Sequence, residues 1–461
     1  MNQALIDNII DDKKKGHSDE TIGKKYGVNA KLIEKAITKH LGVNVSNINQ
    51  KDKKITELSP KSFIPANTTV WSFKSRGSWA THNGNYRGNW SPYIPRNIIL
   101  RYSKENDLVL DYFCGSGTTA VECKLLNRNF IGLDINPEAI KLAKENIDFE
   151  TNNIFNSPEI TLKVGDARDL SNVDSNSIDL ICAHPPYADI VQYTENNQND
   201  LSHKNVDDFL CEIAKVANES YRVLKDEHYC SILIGDMRKN KNVIPLGFWT
   251  IEKYIEAGFE IKELIIKRQH NCKTTGFWKD NSIKYNFLLL AHEYLVVFKK
   301  TKKIDKLFEE VALYSPKTKY SEKTDLESTS VWIFDKKTWL NNTLSNLIKR
   351  YSSNDYLIYR NDETTKKNPD LIINFNENFD SCIKYAKDNL KENGILAVMC
   401  EDYRNNEDNI ESRALSIEKK LRNDNQLKIK ELIVVSIENG ELESKEDLYI
   451  THKYLLIYKK V

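Results

Sequence analysis

The sequence predicts an α/β protein: a doubly wound, mostly parallel sheet, preceded by a small helical unit and followed by a partial, degenerate repeat of the same sheet. Three observations carry this. Between residues 106 and 187 short apolar runs alternate with amphipathic helical segments, the pattern of a parallel sheet covered on both faces. A glycine-rich turn follows the first run and an acid ends the second. Several segments of 224–300 recur in the same order between 390 and 460. The 461 residues are 40% hydrophobic and 29% charged, enough apolar side chain for two or three cores.

In chain order, residues 1–42 read as three short helices. Leu5, Ile6, Ile9 and Ile10 form a stripe at helical spacing that Gly16 ends. Ser18 caps a second helix, DETIGKKY, in which Ile22 and Tyr26 share a face. Gly27 supplies the turn. Asn29 caps a third helix with Leu32, Ile33, Ala36 and Ile37 inward and Lys31, Lys35 and Lys39 outward. This arrangement resembles a helix-turn-helix, which would lay the third helix in a DNA major groove and bring Lys31 and Lys35 to the nucleic acid. A bundle used only for packing reads the same way, and residues 1–60 carry 11 lysines against 8 acids, a slight excess. Residues 43–68 are polar, hold two prolines and show no period, so they read as a linker. The main body spans 69–305. Within it DLVLDYF, FIGLDI, ITLKVGDARDL and SIDLICAHPPY are strands, and AVECKLLNRN and NPEAIKLAKENI are helices.

Composition narrows the function classes. With 67 Lys+Arg against 66 Asp+Glu the net charge is +1, so no global field draws the chain to a polyanion. The eight cysteines form no C-x-x-C pair, which argues against a zinc site and a disulfide framework and fits a reducing cytoplasm. No apolar run approaches the ~18 residues of a membrane span, and the first 15 residues interrupt any secretory signal with acids.

The strand ends hold the chemistry. Gly115 and Gly117 let backbone approach a ligand at a helix N-terminus. The turn lacks the third glycine of a dinucleotide fingerprint and the lysine of a P-loop, so phosphorylated ligands are disfavoured. Asp111, Asp134 and Asp166 close three successive strands on one edge. Three such acids suit a cationic nucleoside, S-adenosylmethionine, with its sulfonium and amino groups at Asp111, its ribose at Asp134 and its adenine amine at Asp166. The fourth strand ends in His184-Pro185-Pro186-Tyr187. Two prolines remove two amide donors and leave carbonyls as acceptors, while Tyr187 offers a flat face to an extruded base. An acceptor at 184 and the Pro185 carbonyl would then draw an exocyclic amine's lone pair out of ring conjugation and toward a methyl group, with no metal required. The loop 71–96 mixes aromatics and cations, making Arg76, Trp79 and Arg87 candidate nucleic-acid contacts; equally, Trp71, Phe73, Trp79 and Trp90 can anchor the loop. Asp189, Gln192 and Tyr193 follow as candidate pocket residues.

Phe113-Cys-Gly-Ser-Gly-Thr-Thr119, Phe130-Ile-Gly-Leu-Asp134 and Ala183-His-Pro-Pro-Tyr187 together resemble the amino-directed S-adenosylmethionine-dependent DNA methyltransferases, which modify adenine N6 or cytosine N4. Trp90–Arg101 is similar to the segment that leads into the family's glycine turn. The resemblance covers residues 70–300, in the motif order of the subgroup that is not circularly permuted. It implies a Rossmann-like methyltransferase fold. It also implies a cofactor held by Asp111, Phe113, Cys114, Gly115, Gly117, Thr118, Asp134, Ile135, Asp166 and Ala167, with His184, Pro185, Pro186 and Tyr187 at the reacting amine. The chain departs from the family at His184, where Asp, Asn or Ser is usual. A neutral imidazole has one acceptor nitrogen, so its tautomer decides whether it can serve.

Leu224–Arg238 aligns without gaps on Leu390–Arg404, Ile261–Ile265 on Ile429–Ile433, and His292–Lys300 on His452–Lys460. Val70–Phe73 echoes Val331–Phe334, and Arg101–Ser103 echoes Arg350–Ser352. Between Ile358 and Asp370 lie only 11 residues, where the first copy carries its glycine turn and acids, and Phe375-Asn-Glu-Asn378 replaces the Pro-Pro-Tyr turn. Residues 316–461 therefore read as a methyltransferase relic without the cofactor half, packed on the first copy as an internal pseudo-dimer in a chain that can be monomeric. The leading expectation is a DNA methyltransferase acting on double-stranded DNA in the cytoplasm, adenine N6 slightly ahead of cytosine N4, with room for a restriction nuclease as partner. Two other readings stay open: methylation of an RNA base, and an inactive DNA-binding regulator that keeps the cofactor pocket.

Overall fold

The computed structural model describes residues 3–15, 17, 19–28, 32–33, 36–37, 40, 55–86, 88–151, 157–188, 199–239, 242–270, 273–301, 326–353, 355–359, 368–438 and 448–461. Its main body is an eight-stranded sheet. The strands in chain order are β1 (Val70–Trp71), β2 (Leu108–Asp111), β3 (Asn129–Asp134), β4 (Ile160–Val164), β5 (Ile178–Ala183) and β6 (Leu224–Gly235), followed, after a small hairpin of β7 (Met237–Lys239) and β8 (Asn242–Ile244), by β9 (Glu260–Arg268) and β10 (His292–Lys299). They lie in the order β1-β9-β10-β6-β5-β2-β3-β4. Only β10 runs antiparallel to its neighbours.

Local chemistry explains the elements. All six residues of β5 are buried, as its apolar run requires of a central strand covered on both faces. Asn136 caps helix Pro137–Asn146 by accepting the Glu138 amide at 3.0 Å, with proline at the first helical position. Gly117, at φ +82°, opens helix Thr118–Leu125; a Cβ there would stand 3.0 Å from that of Ala143. This glycine serves helix packing rather than the approach of a ligand. The third strand stops at Val164, short of the ITLKVGDARDL run, because Gly165 and Asp166 leave the sheet. The chain steps outward through β2, β3 and β4, then returns to β5 beside β2 and proceeds to β6 on the other side. That reversal leaves a crevice at the carboxyl ends of β2 and β5.

A second, six-stranded sheet contains β11 (Val331–Asp335), β12 (Tyr356–Ile358), β13 (Leu371–Asn374) and β14 (Ile395–Cys400), then, after hairpin β15 (Asp402–Arg404) and β16 (Ile410–Ser412), β17 (Leu427–Glu438) and β18 (His452–Lys460). Its order, β11-β17-β18-β14-β13-β12, repeats that of the first sheet from β1 to β2 and ends where β3 and β4 would follow. The registers agree as well. Val70 faces Ile266 as Val331 faces Val434, and Leu180 faces Tyr229 as Leu371 faces Ile395. Both β9 and β17 carry a bulge at the equivalent place, after Ile261 and after Ile429.

The two lobes exchange equivalent contacts. Arg404 binds the fully buried Glu263 at 2.8 and 2.7 Å, and Arg238 binds the fully buried Glu431. Ser330 bonds His292 Nδ1 at 2.9 Å and Thr69 bonds His452 Nδ1 at 2.8 Å, each histidine continuing to a tyrosine, Tyr294 or Tyr454. One hydrophobic core runs through both lobes, joining Phe248 and Tyr294 of the first to Leu432 and Tyr454 of the second.

Residues 3–40 pack Ile6, Ile9, Ile10, Ile22, Ile33, Ala36 and Ile37 into a small core, which Trp278 of helix Lys273–Lys284 joins. Asp12 ties helix Gln3–Lys14 to helix Asp19–Tyr26 through Lys25 (2.7 Å) and Tyr26 (2.8 Å). Leu32, expected inward, is 38% exposed. Lys31 and Lys35 lie outside the described residues. The described part of the expected linker, 55–68, packs on the main body: Ala80 donates to the Glu57 carbonyl at 2.7 Å and Ala66 to Asn97 Oδ1 at 2.8 Å. No described helix is long and apolar enough to cross a membrane.

Candidate active site at the strand ends

The crevice holds about 730 Å³ of space between the side chains, its open mouth included. Its walls come from four strand ends: Asp111, Phe113, Cys114 and Gly115 after β2, Asp134 and Ile135 after β3, Asp166 and Ala167 after β4, and His184 and Pro186 after β5. The turn predicted to bind a nucleoside and the turn predicted to hold an amine thus border one space. Gly117 and Thr118 do not line it. Thr118 instead donates to Asn89 Oδ1 at 2.8 Å and so ties the 86–90 segment, which does line the crevice, to the helix.

The acids differ in their electrostatics. Burial pushes the Asp111 carboxyl up to about 7, against the bonds from Thr119 (2.6 Å) and the Phe113 amide (3.0 Å). Asp134 rises to about 6 for the same reason, although it accepts the Asn136 and Gly115 amides at 2.9 Å each. No basic side chain is among the partners of either in the described residues. At Asp166, burial is outweighed by Arg168, which donates its backbone amide, Nε (2.8 Å) and Nη2 to the carboxylate and keeps it below the usual range. Asp166 therefore reaches the crevice already committed to a cation. Asp200, 2% exposed, adds a fourth carboxylate to the wall.

At the other wall, the His184 ring stacks on Trp90, with centroids 5.5 Å apart and planes 19° apart. Its Nε2 lies 2.9 Å from the Tyr187 hydroxyl, which donates to Glu293 Oε1 at 2.8 Å; Lys267 donates to Glu293 Oε2 at 2.6 Å. Burial pulls the imidazole down to about 4, opposed by Glu293 and by a hydrogen bond from the ring to the Gly88 backbone, so the ring is neutral at physiological pH. Burial would raise Glu293, but Lys267, His184 and the bonds from Lys267 and Tyr187 outweigh it and hold the carboxyl at about 2. Tyr187 does not border the crevice among the described residues; its ring turns toward Gly235, where a Cβ would meet Cε2 at 3.0 Å. The flat face expected to receive a base is thus directed elsewhere, because the hydroxyl is bound to His184 and Glu293. Pro185 is buried behind the wall.

The 71–96 loop is anchored rather than presented. Trp79 is 4% exposed and donates to Glu122 Oε1 at 2.7 Å; His82 (2.7 Å) and Arg96 (2.8 Å) complete the shell of that fully buried carboxylate. Trp79 is therefore unavailable to stack on a base. Arg76 is turned inward, donating to the carbonyls of Trp90 (2.8 Å) and Asn83 (3.3 Å). It braces the segment that carries the crevice wall. Arg87, Asp189, Gln192 and Tyr193 lie outside the described residues.

A family model described as DNA methylase matches residues 11–145, and one described as methyltransferase domain matches 103–286. The chain is 52% identical over 86 residues to the type II methyltransferase M.HpaI of Haemophilus parainfluenzae, 18% of this chain and 27% of that protein. It is 55% identical over 79 residues to M1.MboII of Moraxella bovis, 16% and 30%, and 44% identical over 82 residues to M2.LlaDCHI of Lactococcus lactis subsp. cremoris, 17% and 29%. These matched segments are similar to N6/N4 DNA methylases. The chain spans less than a third of the length of these three relatives.

Sequence reasoning missed Tyr86, Asn89, Asn199, Asp200 and Leu201 in the wall and Glu293 behind it. Asp200 carried one local signal, a capping acid whose Oδ1 accepts the Ser202 amide at 2.9 Å. Nothing local in the chain directs that cap toward the crevice.

Proposed function

We propose that this chain is a DNA methyltransferase acting on an exocyclic amine, adenine N6 slightly ahead of cytosine N4, with S-adenosylmethionine as methyl donor. The observation that carries the reading is the single crevice bordered by both Asp111–Asp134 and His184–Pro186. The wall suits the donor: two buried carboxylates without basic partners favour a cationic nucleoside, and at Gly115 a Cβ would stand 3.1 Å from the Tyr86 ring. When bound, S-adenosylmethionine supplies an electrophilic methyl group. Asp111 would attract the cationic end, Asp134 would accept from the ribose hydroxyls, and Ile135 and Ala167 would flank the adenine. The neutral His184 ring and the Pro185 carbonyl would accept the amine hydrogens and leave the nitrogen lone pair directed at the methyl group.

The N-terminal unit supports a duplex substrate. It rests on helix Lys273–Lys284, in the connection that leaves β9, and β9 runs in the same direction as β5, so that connection emerges on the crevice edge of the sheet. Double-stranded DNA is the proposed partner, with Lys31, Lys35 and Arg87 as proposed contacts, a restriction nuclease as a further partner and the cytoplasm as the site of action. Residues 316–461 are proposed to descend from a duplicated methyltransferase that lost its cofactor half, leaving a monomer with an internal pseudo-dimer.

Replacing Asp134 with Ala is expected to weaken cofactor binding by about 1–3 kcal/mol, the cost of leaving buried hydroxyls unpaired. Isothermal titration checks this, and unchanged affinity would place the ribose elsewhere. Affinity should also depend on pH. The raised carboxyls of Asp111 and Asp134 hold protons in the ligand-free chain that a cationic ligand expels. Binding should therefore tighten as pH rises through 6 and 7, by up to about tenfold per unit for each carboxyl that must ionise, and level off above. A flat profile between pH 5.5 and 8 would contradict these roles. Tritiated methyl transfer to duplex DNA and to total RNA tests the function as a whole.

A further inference from the structure

We propose that Asp200, on a wall segment held in place by Arg168, accepts the base amine of the methyl donor's nucleoside, the role expected of Asp166. The assignment rests on the reading of the crevice as an S-adenosylmethionine site and adds to it the residue that selects adenine. Asp166 is the starting point. Its Oδ1 accepts the backbone amide (3.0 Å) and Nε (2.8 Å) of Arg168, and its Oδ2 accepts Nη2. A carboxylate has about four acceptor sites, and most of these are spent on a partner that is itself a cation. A neutral amine is a weaker donor than the guanidinium already there.

The same guanidinium reaches beyond Asp166. Nη2 donates to the Asn199 carbonyl at 3.0 Å, and Nη1 to Glu212 of helix Val206–Val223 at 2.5 Å. One rigid, planar fork thereby ties the turn after β4 to the segment 199–201, and both border the crevice. The Arg168 side chain is only 14% exposed, so it acts as a buckle between these two walls. Within the segment, Leu201 is apolar, and Asn199 is exposed with its carbonyl bound to Arg168. Asp200 is buried and lines the crevice. Its Oδ1 accepts the Ser202 amide at 2.9 Å, which fixes the carboxylate, and its Oδ2 stands 3.8 Å from His203 Nε2, longer than a hydrogen bond. Its charge is felt at Asp134, whose carboxyl it helps to raise. Asp200 thus sits between the proposed ribose acceptor and the Asp166 turn. A nucleoside with its ribose at Asp134 and its base against Ile135 and Ala167 spans that interval.

Two ligands isolate the contact: S-adenosylhomocysteine, and its analogue with hydrogen in place of the 6-amino group, each titrated calorimetrically into the full chain. The native chain should bind the amino ligand at least about tenfold more tightly, the scale of a hydrogen bond to a charged group. Asp200→Ala should cut that preference to about threefold or less, losing affinity for S-adenosylhomocysteine while holding that of the analogue. Asp200→Ser keeps a capping oxygen for the Ser202 amide and should lose the preference equally, which separates the contact from the folding of the segment. Asp166→Ala should weaken both ligands together, by loosening Arg168, and leave their ratio near the native value. The assignment is overturned by a preference that survives in Asp200→Ala, by a parallel loss of both ligands in the Asp200 variants, or by a preference that disappears in Asp166→Ala. A native chain that binds both ligands alike would overturn it and leave the cofactor reading standing. A native chain that binds neither would remove the cofactor reading and this assignment with it.

Discussion

Replacing Arg404 with Met should destabilise the full chain by about 3–5 kcal/mol, the cost of leaving a buried carboxylate without its cation. Glu263 is fully buried and takes both of its guanidinium bonds from Arg404, with the Leu448 amide as a weaker third partner at 3.2 Å. Arg238→Met should cost a similar amount, because it strands the fully buried Glu431 in the same way, with the Leu288 amide, also at 3.2 Å, as its remaining hydrogen-bond donor among the described residues. Urea midpoints of the two variants should shift alike. Adding Glu263→Leu to Arg404→Met should recover most of the loss, since a buried ion pair replaced by apolar groups is often neutral. A loss below about 1 kcal/mol, the level of an exposed ion pair, would mean that water reaches this seam and that the lobes are not locked there.

His184→Ala should slow methyl transfer to DNA by about 10²–10³-fold, the scale for removing one preorganised hydrogen-bonding group at a reacting centre. Cofactor affinity should stay within about threefold, because the acids that would hold the donor stand on other strand ends. His184→Asn returns an acceptor of the family's usual kind and should retain far more activity than His184→Ala. Equal loss in both variants would assign the ring a structural role, as the partner of Trp90. An unaffected rate in His184→Ala would move the amine away from this turn.

What was legible in the sequence was what local chemistry decides. The strand, glycine turn, helix and acid from Leu108 to Asp134 are consecutive in the chain, so the crevice wall they build could be read from the residues alone. The His184 turn was equally visible. Contacts that depend on distant partners were not. Tyr187 looked like a stacking face until Glu293, 106 residues away, claimed its hydroxyl. Trp79 and Arg76 carried the composition of a nucleic-acid loop, yet Glu122 and the Trp90 carbonyl bind them inward. Asp166 stood where an adenine acceptor belongs, and Arg168, two residues on, had already paired with it. The recurrence of segments suggested two related halves, but not that each would complete the other's hydrogen bonds through Thr69 and Ser330.

Sequencing duplex DNA that has been incubated with the full chain and S-adenosylmethionine, using chemistry that separates N6-methyladenine from N4-methylcytosine, bears most directly on the shared crevice. Methylation at the exocyclic amine of a defined site, lost in His184→Ala, is the predicted result. Unmodified DNA alongside measurable cofactor binding would contradict it and point to a regulator that kept the pocket; label appearing only in RNA would contradict it from the other side.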